Sequence, residues 1–136
     1  VRLSKPAALS GTATPTIEAT GQAQKQRYEV EIKSWGQVDI IAETREVGLY
    51  RLSIDPDEVL PEHYHLKMRE CELVLNNGMK GSIEDGPFRP LHTGQRFTWK
   101  AKQRHAYRND SPKRASLLCM DSPPFDPEDE ILTEAS

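Results

Sequence analysis

From residue 28 to residue 120 apolar and polar positions alternate in short runs with a period of two, and no stretch sustains the i, i+3, i+4, i+7 apolar stripe of an amphipathic helix. The pattern predicts nine strands, over residues 28–33, 38–43, 47–54, 62–65, 71–75, 79–84, 96–99, 105–109 and 115–120. Turn-forming clusters separate them at Asp55-Pro56-Asp57, Asn76-Asn77-Gly78, Asp85-Gly86-Pro87 and Asn109-Asp110-Ser111-Pro112. In each cluster Asp, Asn or Gly tolerates a positive φ, or Pro presets the bend. Short strands without helices imply an all-β architecture, a small antiparallel barrel or jelly roll.

The two ends read differently. Residues 1–26 are rich in Ala, Thr, Ser, Gly, Pro and Gln and hold no aromatic ring, so they bury too little to order themselves and are expected to be disordered or extended. Residues 123–136 carry three Pro and five acidic residues and are expected to form an extended tail, with Phe125 and Ile131 able to dock on the body. The barrel is thereby expected to span 27–122. Polar ends account for a hydrophobic content of only 36%.

With 18 Lys and Arg against 21 Asp and Glu, the formal charge is −3, which offers no overall positive field for phosphate backbones or anionic lipid. Nucleic-acid and membrane partners are therefore not expected, and no window approaches the apolar length of a membrane-spanning helix. Cys71 and Cys119 lie in apolar runs and read as reduced, buried thiols, as suits a reducing, cytoplasmic compartment.

Two of the four histidines form His63-Tyr64-His65 within a predicted strand, so both imidazoles project from one face at a spacing suited to one metal ion. In the following strand alternation puts Glu70, Glu72 and Val74 on one face and Cys71, Leu73 and Leu75 on the other. His105, Tyr107 and Asn109 share a face of a later strand. Three imidazoles and a carboxylate would leave open positions on a divalent ion, which is what catalysis requires.

Order and spacing of this set resemble the two motifs of the cupin superfamily, G-x5-H-x-H-x(3 or 4)-E-x6-G and G-x5-P-x-G-x2-H-x3-N. His63, His65 and Glu70 match the first, and Gly94, His105 and Asn109 match the second. Asp57 stands where the first motif opens with Gly, seven residues rather than six separate Glu70 from Gly78, and Lys100 and Lys102 replace Pro and Gly of the second. The lost residues are turn formers, so the departures touch loop geometry rather than ligands. The resemblance implies a cupin barrel in which His63, His65, Glu70 and His105 hold one divalent ion, Fe, Mn, Ni or Zn. It also implies a small-molecule ligand and a homodimer. Oxygenase, isomerase and lyase activities all occur in similar proteins, and a non-catalytic ligand-binding or sensing module, alone or as part of a larger protein, is the alternative.

Alternation and nearness to the motifs add Tyr50, Met68, Arg96 and Trp99 as inward candidates beside Glu72 and Tyr107. Glu72 and Tyr107 are the candidate proton carriers, as general base and acid. Eight basic residues (Lys67, Arg69, Arg89, Arg96, Lys100, Lys102, Arg104 and Arg108) lie near the motifs and suggest an anionic ligand.

Overall fold

The computed structural model describes residues 29–133, so the expectation for residues 1–26 lies outside the described part of the chain. Eleven strands run β1 (Glu29–Lys33), β2 (Gly36–Glu43), β3 (Gly48–Ile54), β4 (Val59–His65), β5 (Arg69–Val74), β6 (Met79–Ile83), β7 (Arg89–Pro90), β8 (Arg96–Trp99), β9 (His105–Asn109), β10 (Ala115–Ser122) and β11 (Glu130–Leu132). They form two antiparallel sheets, of order β1-β2-β3-β10-β5-β8 and β11-β4-β9-β6-β7. Among the described residues the helical structure is one 3-10 turn, Pro127–Asp129, and no helix is long and apolar enough to cross a membrane.

The all-β expectation holds, and the differences have local causes. Strand β4 begins at Val59, ahead of the expected 62, because a bulge interrupts its pairing with β9 between Leu60 and His63. Pro61 has no N–H to give a ladder, and sheets accept proline at such irregularities. The extra residue changes the phase of the strand, so Leu60 and His63, three apart, are both buried. Part of the C-terminal stretch joins the sheet: β11 pairs with β4, Glu130 opposite His65 and Leu132 opposite His63. Its backbone supplies the hydrogen bonds, which need no apolar alternation to announce them. Cys119 is buried as expected, whereas Cys71 is exposed, because the phase that turns Glu70 and Glu72 inward turns Cys71 out.

Both motif departures at glycine positions keep glycine-like backbone. Asp57 has φ 64° and Lys102 φ 67°. Hydrogen bonds hold them there, from Asp57 N to Asn109 O (2.9 Å) and from Lys102 N to His65 O (2.6 Å). For a residue with a Cβ this region costs roughly 1–2 kcal/mol.

Inward residues grade along the barrel. Ile54, Val74, Met79, Ala115 and Leu117, each at most 1% exposed, fill one end. Moving along β10 and β5, the paired inward positions become Leu117 with Val74, then Cys119 with Glu72, then Asp121 with Glu70. The apolar end supplies the burial that holds the sheets together, at about 1.5–3 kcal/mol for each large aliphatic side chain. The polar end holds the site.

Candidate metal centre

His63 and His65 come from β4, Glu70 from β5 and His105 from β9, where it pairs directly opposite His63. One donor atom from each of the four lies within 4.8 Å of all the others, and the four residues are 1–6% exposed. His63 Nδ1 donates to the carbonyl of Pro61 (2.9 Å), in the bulge, and His105 Nδ1 to that of Gln103 (3.0 Å). A carbonyl only accepts, so both rings carry their proton on Nδ1 and can present the Nε2 lone pair to the centre. Trp99 stacks flat on His105, with centroids 4.6 Å apart and planes 3° from parallel, and Phe125 meets His65 edge-on at 6.2 Å.

His65 Nδ1 and Nε2, His105 Nε2 and Glu70 Oε2 are buried without a hydrogen-bond partner, although Glu70 Oε2 is 2.8 Å from His105 Nε2. Electron-rich atoms this close repel unless a proton or a cation lies among them. The donor set suits a divalent ion of the Fe, Mn, Ni or Zn class.

The electrostatics agree with that use. Burial, assisted by His105, lowers His63 to about 4, so its ring is neutral near pH 7. Burial opposes charge on Glu70, but the imidazoles of His105 and His65 beside it outweigh burial and hold the carboxyl below its usual range. His105 is raised: Glu70 and Glu72 together overcome the opposing effect of burial.

A cavity of about 700 Å³ opens beside His63, His65 and Glu70. Trp35, Val38, Ile40 and Leu52 form an apolar side, and Phe125, Pro127, Glu130 and Leu132, from the C-terminal strap, close another. Glu72 and Tyr107 do not line it. Both are 1% exposed and buried in the barrel interior, where Tyr107 Oη donates to Glu72 and Trp99 Nε1 donates to Glu72 Oε2 (3.0 Å). Burial, with Glu70's charge, raises Glu72 to about 7, and burial pushes Tyr107 well above its ordinary value. Tyr50, Met68 and Trp99 are buried as expected, whereas Arg96 points to solvent from β8.

Asp121 and Glu130 do line the cavity, and sequence reasoning missed both. Asp121 sits opposite Glu70 on β10, 4% exposed, with Oδ1 unpaired; burial, with Glu70 and Glu72, raises it to about 9. A signal existed for it. Ala115, Leu117, Cys119 and Asp121 share one phase, so an acid follows three inward residues.

The anionic-ligand expectation meets a different wall. None of the eight basic residues lines the cavity; Arg104 is bonded to Glu84 and Asp85, and Arg108 to Asp110. Asn109 is structural: its amide reaches the carbonyls of Ile54 (2.9 Å) and Lys113 (2.7 Å), and its Oδ1 takes Ser111 N (3.0 Å).

Fold and site together define a double-stranded β-helix of the cupin type with a buried three-histidine, one-glutamate cluster able to hold a metal ion. Solved structures of that shape include a double-stranded β-helix protein from Klebsiella pneumoniae (TM-score 0.62, 18% identity, 71% of this chain and 83% of that one). The nucleoside dehydratase Pac13 of Streptomyces is similar at TM-score 0.64 and 14% identity, over 79% of this chain and 85% of that one. The polyketide cyclase RemF from Streptomyces resistomycificus is similar at TM-score 0.69 and 13% identity, over 85% and 86%. No protein-family pattern and no curated protein sequence matches the chain.

Proposed function

We propose that this protein is a metal-dependent enzyme that carries out acid-base chemistry, of the lyase or isomerase kind, on a small molecule held in the cavity. The observation that carries the reading is the convergence of four buried donor side chains, His65, Glu70 and His105 with unpaired donor atoms, beside a cavity of about 700 Å³ that His63, His65 and Glu70 line. An ion held by His63, His65, Glu70 and His105 would supply a Lewis acid. Asp121 and Glu130 are the carboxyls placed to hold or accept a proton at a substrate atom, one on each flank of the tetrad. Glu72 and Tyr107 take a positioning role, fixing Trp99 Nε1 and through the indole the plane of His105. The activities of two proteins of similar shape, the dehydratase Pac13 and the cyclase RemF, support this choice over oxygenation. A homodimer in a reducing cytoplasmic compartment belongs to the same reading, supported by the apolar outer positions Met120 and Leu75 and by two free thiols.

Elemental analysis of untagged protein tests the centre, with His63→Ala and His105→Ala beside wild type. We expect about one equivalent of metal in wild type, much less in either variant, and a chelator-induced fall in melting temperature for wild type alone. Wild type without stoichiometric metal after supplementation refutes the centre. Oxygen uptake with candidate substrates tests the reaction class, and uptake coupled to turnover refutes acid-base chemistry.

A further inference from the structure

The charges that face the cavity differ from those around it. Among the described residues its lining holds Glu29, Glu31, Glu43 and Glu130 besides Glu70 and Asp121, and its one Lys or Arg is Lys33. Lys33 is engaged by Glu31 at 3.1 Å. Tyr50 donates its hydroxyl to Glu43 (2.7 Å), a neutral donor that leaves the carboxylate's charge in place. A divalent ion on the tetrad, with Glu70 ionised, leaves the centre at +1 (2 − 1), against four outer carboxyls and one ammonium. Like-signed groups on low-dielectric walls focus their field into the space between them.

A second, independent observation points to a ligand. Asp121 is 96% buried and lines the same cavity, and its Oδ1 has no partner in the protein. Buried polar atoms are nearly always satisfied, so an orphaned acceptor on a cavity wall marks the place of an incoming donor. Trp35, Val38, Ile40, Leu52 and Phe125 give the remaining wall to an apolar body.

We infer that the cavity takes a small amphipathic ligand bearing an ammonium group, with its apolar body against Trp35 and Phe125 and its N–H groups directed to Asp121 and the outer carboxylates, and that it disfavours anions. The inference rests on the cavity being the substrate site of the proposed enzyme and names the class of its occupant. An organic anion of the same shape would face the outer carboxylates instead.

Three probes that share one body and differ in charge test it: phenethylamine, 2-phenylethanol and phenylacetate, titrated calorimetrically into the full chain, zinc-loaded and chelated, at pH 7. The expected result is phenethylamine binding at least about tenfold more tightly than phenylacetate, with the alcohol between. The preference persists in chelated protein, because the wall and not the ion sets it. In a Glu43→Gln/Glu130→Gln double variant it shrinks to within about threefold, while zinc content and melting temperature stay near wild type. Phenylacetate binding as tightly as the amine overturns the inference, as does a preference unchanged in the double variant or no binding of any probe at millimolar concentration. Zinc content measured on the same samples keeps the two readings apart: a fully loaded protein that prefers phenylacetate loses the ligand class and retains the metal centre.

Discussion

Asp121 gives the sharpest test of how the site is built. An ordinary aspartate titrates at 3.8, and burial beside Glu70 and Glu72 moves this one to about 9. Between those values the unfolded chain releases a proton that the folded chain keeps, so the folded state loses stability as pH rises. The penalty is absent below the ordinary value and complete above the raised one. Throughout pH 5 to 7.5 the folded carboxyl stays protonated and the unfolded one ionised, at about 1.36 kcal/mol per pH unit, so that interval costs up to about 3 kcal/mol. Asp121→Asn keeps the shape and cannot ionise. Urea unfolding of chelator-treated protein should therefore show the variant gaining up to about 3 kcal/mol on wild type between pH 5 and 7.5. Glu72 and His63 titrate too, but they are present in both proteins, so the difference isolates residue 121. Parallel stability profiles for the two proteins would refute the placement of Asp121 as a buried, unpaired carboxyl.

Other predictions address the centre and its support. Metal must displace the proton that Glu70 favours on His105, whose pKa is raised, so metal content should fall as pH drops from 7 to 5; unchanged content across that range, read by elemental analysis after equilibration, would contradict it. Gly48→Ala would drive a methyl into the Tyr50 ring, displacing the phenol that bonds Glu43 and Phe125 N, and should cost about 1–3 kcal/mol by urea unfolding. Asn109→Ala strips partners from the carbonyls of Ile54 and Lys113 and should cost about 2–4 kcal/mol, with metal content unchanged in the folded fraction.

Strand phase was legible wherever alternation was strict. Glu70 and Glu72 inward, His63 beside His65, and Tyr107 below His105 all follow from a period of two. What escaped were features carried by backbone or by three-dimensional charge. The bulge at Pro61 leaves no apolar signature, and β11 is fixed by pairing to β4 and by Thr133, whose N and Oγ1 reach Glu62 O (both 3.1 Å), rather than by pattern. The eight basic residues near the motifs in sequence misled for a related reason: neighbours in sequence point to opposite faces of a strand, so nearness along the chain says little about what faces a cavity. Conversely, Asp57 and Lys102 looked like lost glycines and turn out to occupy the conformation that glycine would have taken.

The cavity is assembled from parts of unequal commitment. The tetrad stands on β4, β5 and β9, strands that also carry the core, whereas Phe125, Pro127, Glu130 and Leu132 come from a strap anchored by three residue pairs on β4 and by the Asp129 carboxylate on Lys67 N and Met68 N. Substitution of strap side chains other than Phe125, which packs on His65, can remodel the wall that chooses the occupant without touching the four donors or the packed end of the barrel. Evolution, or a library within residues 123–133 that spares Phe125 and Glu130, could thus change what this barrel accepts while leaving intact the centre that would act on it.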